Sequence, residues 1–158
     1  MSKRSGEFIT LDDLLEEVGR DAARFFFLMH SLDTHMDFNL DLAKERSQKN
    51  PVYYAQYALV RCANILQKAK SGKQKVKSNL DLLNSDSEIK LMLELMKLPD
   101  VLAQTAEDYQ VHRLTKYATE LAKIFHHFYE KERVLNAENG LKNARLALVS
   151  ATKIVLEN

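Results

Sequence analysis

Apolar residues recur every three to four positions over most of this chain, which is the spacing of one face of an α-helix. The periodic stretches predict helices over residues 11–18, 51–70, 87–98 and 113–132, with a last helix after Gly140. A brief alternation of apolar and polar residues near position 40 is too short to build a sheet without a partner strand. We therefore predict an all-α fold, a helical bundle of about five substantial helices with several short ones.

Local signals mark several helix ends. Thr10 and Asp13 have the spacing of a capping pair in front of the first helix. Asn50 before Pro51 is an N-cap candidate with proline at the first helical position, and it predicts the start of the long helix that follows. Asp21 can cap a second helix, which carries three consecutive phenylalanines.

Composition places the chain among ordinary globular proteins. It has 158 residues, 46% hydrophobic and 28% charged, which suits one domain with a real core. A net charge of +1 supplies no global field for nucleic acid, so any such binding requires a local patch. The single cysteine excludes an internal disulfide and a cysteine-based zinc site. No apolar run has the length needed to cross a membrane, so we expect no membrane partner and a cytoplasmic location.

The stretch "NPVYYAQYALVRCANILQKAK" suggests a polar surface on one side of the long helix. Five side chains that can donate hydrogen bonds fall within an arc of about 80° on a helical wheel: Tyr54, Tyr57, Arg61, Asn64 and Lys68. Apolar positions occupy another side, so the core can be satisfied without using Tyr54 or Tyr57. Tyrosine rings beside cations suit unpaired bases and phosphates. The structural alternative is that these tyrosines pack under a neighbouring loop with their hydroxyl groups in water.

Other candidate sites are weaker. His126 and His127 are adjacent and point about 100° apart on a helix, so they cannot both bind one metal ion, and we predict no metal site. His126 is either a structural or surface histidine or a contact to RNA. The lysines of residues 68–77 form either a solvated loop or a patch that follows phosphates. The chain contains no glycine-rich phosphate loop and no nucleophile motif.

Five blocks of the sequence carry a family resemblance: "MSKRSG", "GRDAARFFFL", "DFNLDLAKERSQKNPVYYAQYALVR", "FHHFYEKERVL" and "ARLALVSATKIVL". In this order and spacing they resemble the C-terminal region of a bacterial-type arginyl-tRNA synthetase, and the resemblance covers nearly the whole chain. That region contains a helical anticodon-binding domain known by an Asp-Ala-Leu-Arg-like motif, which here reads Asp21, Ala22, Ala23 and Arg24.

The resemblance implies a class I synthetase whose catalytic domain lies upstream. Residues 1–20 would be the end of the catalytic region, with a KMSKS-like loop and a connecting helix, and residues 21–158 would be the anticodon-binding domain without its C-terminal tail. Lys3 would be a catalytic residue only in the full enzyme, where it meets the phosphates of ATP. The full enzyme would use ATP with magnesium and arginine, whereas we expect this fragment to bind no cofactor and to be inactive alone.

The resemblance also implies that the helix with the Tyr-x-x-Tyr pattern faces the anticodon loop, which assigns Tyr54, Tyr57 and Arg61 to tRNA binding. Tyr117 corresponds to a family position near the same loop. With Asn64, Lys68 and His126, these residues are the expected contacts to tRNA-Arg. The partners would be this tRNA and the catalytic domain of the same chain. The alternative is a helical protein-interaction module that docks a partner on its tyrosine face.

Overall fold

A computed structural model describes residues 10–31, 33–70 and 79–157 of the chain. The described residues form α-helices and contain no β-strand, so the predicted all-α fold is confirmed. The helices are α1 (Leu11–Val18), α2 (Arg20–Leu28), α3 (Leu40–Lys44), α4 (Pro51–Lys70), α5 (Asp86–Met96), α6 (Leu98–Asp108), α7 (His112–Lys131) and α8 (Asn139–Glu157). A 3₁₀ turn, Leu80–Leu82, precedes α5.

The start of α1 follows the capping prediction, and the start of α2 does not. Thr10 and Asp13 form a complete capping box, with each side chain accepting the other residue's backbone N–H. The prediction that Asp21 caps α2 is wrong, because α2 begins at Arg20 and Asp21 therefore lies within its first turn. Gly19 serves both helices as a cap with φ of 80°, a left-handed conformation that glycine adopts without a steric penalty.

Helices α4, α5, α7 and α8 enclose the main core. Phe125 and Phe128 of α7 are fully buried there, together with Leu91 of α5 and Cys62 of α4. A smaller apolar cluster joins α2 and α3 to the start of α4, around Phe26. Because α4 contributes to both clusters, it is held at both of its ends and presents a fixed outer side.

Asn50 sets the position of the first turn of α4. Its side-chain oxygen accepts hydrogen bonds from the backbone N–H groups of Val52 and Tyr53, at 3.0 and 3.3 Å, which confirms it as the N-cap. Its side-chain nitrogen donates to the carbonyl oxygens of Ala43 and Glu45 at 3.0 and 2.9 Å. The buried amide therefore joins α4 to the end of α3.

A buried ionic network connects α5, α7 and α8. Arg145 donates from Nε to Glu88 at 2.7 Å and from Nη2 to Glu132 at 2.5 Å, and from Nη1 to the carbonyl oxygen of Arg133 at 3.1 Å. Glu88 also accepts from two backbone N–H groups before α5. Burial opposes the charge on Glu88, but the hydrogen bonds from Ser85 and Arg145 outweigh it and lower its pKa.

The described residues contain neither a helix suited to spanning a membrane nor a cluster of side chains suited to a metal ion. None of their helices combines the length and the apolar character that spanning a bilayer requires. They also contain no group of three or more His, Cys, Asp or Glu side chains placed to hold a metal ion.

Candidate functional site

Four side chains at the junction of α4 and α7 form what we call the tyrosine surface: Tyr53, Tyr57, Arg61 and Tyr129. The first three lie on consecutive turns of one side of α4, and the last is near the end of α7. Tyr57 is 42% exposed and Tyr129 is 38% exposed, which is substantial for aromatic side chains on a packed bundle.

Arg61 occupies the centre of this surface. Its Cζ atom lies 4.6 Å from the centroid of the Tyr57 ring and 4.6 Å from that of the Tyr129 ring. Its Nη2 donates a hydrogen bond of 2.6 Å to the hydroxyl oxygen of Tyr57. Its Nη1 lies 3.3 Å from Nδ1 of His126. Partners from both helices therefore hold the guanidinium in one position.

The tyrosine rings of α4 continue this arrangement as a stack. The rings of Tyr53 and Tyr57 are nearly parallel, with 4° between their planes and 6.2 Å between their centroids. The ring of Tyr57 also stacks on His126, at 5.4 Å and 28°. Tyr57 remains 42% exposed beside these contacts, so part of its ring is accessible to a further planar group such as a nucleobase.

Tyr54 lies beneath the surface rather than on it. Its ring is half-buried, 4.6 Å from the ring of His126, and packs against the main core. The core uses Tyr54 although apolar residues on another side of α4 could satisfy it, because α7 approaches this side of α4. Burial is the main cause of the raised pKa of its hydroxyl group, with a smaller contribution from Glu130. The hydroxyl of Tyr54 consequently remains a proton donor well above neutral pH.

The other predicted contacts are distributed differently. Asn64 and Lys68 are exposed further along α4, on the side predicted by the helical wheel. His126 is 4% exposed and lies directly under the tyrosine surface. Lys3 and most of the lysine-rich segment lie outside the described residues.

Tyr117 is a core residue and does not join the tyrosine surface. It is only 7% exposed, and its hydroxyl group donates to the carbonyl oxygen of Glu94 at 3.0 Å. Burial raises its pKa to about 12. The helical wheel places Tyr117 beside the apolar stripe of α7, which consists of Leu114, Ala118, Leu121, Phe125 and Phe128. In the structure Tyr117 belongs to the same core cluster as Leu121, Phe125 and Phe128.

Two members of the tyrosine surface are absent from the sequence-based set, namely Tyr53 and Tyr129. Tyr129 follows His126 by three residues, so both lie on one side of α7, and this spacing could have indicated it. Tyr53 lies outside the arc chosen for α4. It borders a groove of about 290 Å³ lined by polar side chains that include Arg46 and Gln56. The surface therefore extends towards the start of α4.

Comparison with known proteins identifies the class of this bundle. The family model of the DALR anticodon binding domain matches residues 55–158, and the chain belongs to this family. The matched residues include Tyr57, Arg61, His126 and Tyr129.

The relatives are arginine–tRNA ligases. The whole chain aligns with that of Desulforudis audaxviator at 48% identity over 164 residues, and with that of Symbiobacterium thermophilum at 49% over 162 residues. In both comparisons the chain spans 29% of the length of the relative. The part that it matches is the C-terminal one.

Solved structures agree with this assignment. A protein from Campylobacter jejuni, described as an arginyl-tRNA synthetase, superposes on 98% of this chain with a TM-score of 0.83 and 33% identity. The arginyl-tRNA synthetase of Thermus thermophilus superposes on 98% of the chain with a TM-score of 0.76 and 25% identity. The chain covers 34% and 26% of these two proteins, respectively.

Proposed function

We propose that this chain is the anticodon-binding part of an arginine–tRNA ligase and that its tyrosine surface binds the anticodon loop of tRNA-Arg. The observation that carries the proposal is the guanidinium of Arg61, which lies 4.6 Å from two exposed tyrosine rings. A fixed cation beside partly exposed aromatic rings is suited to unpaired nucleotides, which offer flat bases and negative phosphates together. The arrangement lies within the part of the chain that matches the anticodon-binding family.

Each component has a distinct role in this proposal. Unpaired bases stack on the parts of the Tyr57 and Tyr129 rings that remain exposed, with Tyr53 beside them, which is worth roughly 1 to 3 kcal/mol for each base. A guanidinium has five N–H donors, and Arg61 uses two of them on partners among the residues that the structure describes. The remaining donors are available to a phosphate or to a base edge. Lys68 and Asn64 extend the polar side of α4 for contacts to the RNA backbone.

The complete enzyme would join arginine to this tRNA in the cytoplasm with ATP and magnesium, in a catalytic part that the matched region does not include. Residues 1–20 would be the end of that catalytic part, and Lys3 would contact the ATP phosphates within it. We expect the 158-residue chain alone to show no arginine-dependent exchange between ATP and pyrophosphate. Exchange above the blank would contradict this division of roles.

The direct experiment measures binding of the chain to a tRNA-Arg anticodon stem-loop and to the same stem-loop with the central anticodon base changed. Tyr57→Ala is expected to weaken binding to the first RNA by about 5-fold to 150-fold, equivalent to about 1 to 3 kcal/mol for one lost stacking contact. Tyr109→Ala is the matched control, since Tyr109 is 76% exposed and lies just before the start of α7, whereas Tyr129 of the tyrosine surface lies near the other end of that helix. The control is expected to bind like the unmodified chain.

Salt dependence separates RNA binding from the alternative of a protein-docking face. Binding that uses Lys68 and Arg61 against phosphates should weaken steeply as salt is added, through release of counterions. Equal binding to both stem-loops, or equal losses for Tyr57→Ala and Tyr109→Ala, would contradict the assignment of anticodon recognition to the tyrosine surface.

A further inference from the structure

His126 lies where it can control Arg61 without being exposed to RNA. It is 4% exposed, and its ring lies 4.6 Å from that of Tyr54 and 5.4 Å from that of Tyr57. Its Nδ1 is 3.3 Å from Nη1 of Arg61, and its Nε2 is 3.5 Å from the carbonyl oxygen of Tyr54. This imidazole therefore bridges the guanidinium and the backbone of α4 from its position on α7.

These two contacts select one form of the imidazole ring. A guanidinium has only donors, so Nδ1 must offer a lone pair to Arg61. A carbonyl oxygen has only lone pairs, so Nε2 must carry the proton that is directed at Tyr54. Only the neutral ring protonated at Nε2 meets both conditions. A doubly protonated ring would direct an N–H group at a cation.

Arg61 has few other fixed partners. Within the described part of the chain, no carboxylate lies within ion-pair distance of its guanidinium, and its polar contacts are His126 and the hydroxyl of Tyr57. Tyr57 is on the same helix as Arg61, so His126 supplies the hydrogen bond that comes from the opposite helix. Losing it would leave the guanidinium anchored by one hydrogen bond and two ring contacts.

The surroundings of His126 favour the neutral ring at neutral pH. Burial lowers its pKa below the ordinary value of 6.5, and the nearby charge of Arg61 on α4 acts in the same direction. The hydrogen bond to Tyr54 and the charge of Glu130, on the same helix as His126, act in the opposite direction but do not outweigh burial. Mild acid should therefore be needed to protonate the ring.

We propose that His126 is a positioning residue, which as a neutral imidazole holds Arg61 between Tyr57 and Tyr129, and that its protonation releases Arg61 and weakens RNA binding. This inference rests on the proposed function, because it assigns a role to a buried residue of the same surface. It adds that the surface is sensitive to pH through one histidine that makes no contact with the RNA itself.

The first measurement needs no RNA. Nitrogen-15 NMR of the imidazole rings in the 158-residue chain should show Nε2 of His126 protonated and Nδ1 unprotonated at pH 7.5. The ring should become charged below pH 6.5 while the chain remains folded. A ring protonated at Nδ1 at pH 7.5, or one that stays neutral until the chain unfolds, would overturn the inference.

The second measurement follows binding of the anticodon stem-loop from pH 7.5 to the pH at which NMR shows the ring charged. The unmodified chain should lose affinity by about tenfold, the scale of one hydrogen bond to a charged group. His126→Gln cannot titrate and keeps an acceptor for Arg61, so its affinity should not change with pH. His127→Gln is the matched control, since His127 is adjacent and exposed, and it should follow the unmodified chain.

A third variant tests positioning directly. His126→Leu removes the acceptor, and it should bind about tenfold more weakly at pH 7.5. If this variant does not fold, the NMR titration and the His126→Gln comparison still decide the question. An unchanged affinity while the ring becomes charged, or a pH-dependent loss that persists in His126→Gln, would refute the role. If neither the unmodified chain nor any variant bound the stem-loop at any pH, the proposed function and the role of His126 in RNA binding would both fail. Finding His126 protonated at Nε2 by NMR would then show that the contact with Arg61 is right and that the proposed function is wrong.

Discussion

Arg145→Met is expected to lower the free energy of unfolding by about 3 to 5 kcal/mol, because it leaves the buried carboxylate of Glu88 and the partly buried carboxylate of Glu132 without their cation. The Arg145 side chain is 10% exposed, and its partners Glu88 and Glu132 are 1% and 16% exposed. Methionine fills much of the space of the arginine stem but supplies no donor. The cost therefore comes from unpaired charge rather than from a cavity.

A loss of about 3 to 5 kcal/mol is large compared with the total free energy of unfolding of a domain. A domain of ordinary stability has about 5 to 15 kcal/mol in total, so the substitution removes a substantial fraction. Glu88 keeps two backbone hydrogen bonds and Glu132 keeps the one from Ser87, at 2.7 Å, which limits the loss. Adding Glu88→Gln to Arg145→Met removes one unpaired charge and should recover part of the stability.

Urea unfolding followed by circular dichroism at pH 7 measures the effect. Arg113→Met is the matched control, because Arg113 pairs with Asp108 at 2.5 and 2.6 Å but both side chains are partly exposed, at 33% and 43%. Exposed pairs contribute about 0 to 1 kcal/mol. If Arg145→Met costs no more than Arg113→Met, the network around Glu88 does not stabilise the junction of the helices in the way described.

Three further predictions concern other buried groups. Asn50→Ala should cost about 2 kcal/mol in urea unfolding, since it removes the cap of α4 and leaves the carbonyl oxygens of Ala43 and Glu45 without their donor. The lowered pKa of Glu88 gives stability that is present above its unfolded value of about 4.5 and is lost as the pH falls through the folded value. A melting temperature that falls less steeply in acid for Glu88→Gln than for the unmodified chain would support this. Burial raises the pKa of Cys62 to about 12, so its thiol should not react with Ellman's reagent at pH 8 until denaturant is added.

The elements of this fold were predictable where the signal is local. The capping box at Thr10 and the Asn50–Pro51 start depend on residues within a few positions of one another, and both were placed from the sequence. The capping box formed by Ser85 and Glu88 was not, although its spacing is the same. The end of α1 was predicted at Gly19, but the immediate restart as α2 depends on a left-handed backbone conformation that composition does not reveal.

The candidate site was predictable only in part, because helical periodicity describes one helix at a time. The wheel for α4 placed Tyr57 and Arg61 together, and the structure agrees. It could not show that α7 crosses this side of α4, and that crossing buries Tyr54 and brings Tyr129 to Arg61. The wheel for α7 placed Tyr117 beside the apolar stripe, where it does pack. The resemblance to a family assigned it to tRNA, and its exposure of 7% leaves little surface for that contact.

The use of two helices has a consequence for how the surface could work. Arg61 contacts Tyr57 on its own helix and both His126 and Tyr129 on α7, so its position depends on how the two helices pack. Phe125 of α7 lies one residue from His126 and is fully buried in the main core, to which Ala58 and Cys62 of α4 also belong. A substitution at Phe125 should therefore change the position of Arg61 in the tyrosine surface, although Phe125 is not part of that surface. A flexible arginine would lose side-chain entropy when it bound a phosphate, and one already held by a neutral histidine loses less while keeping its full charge.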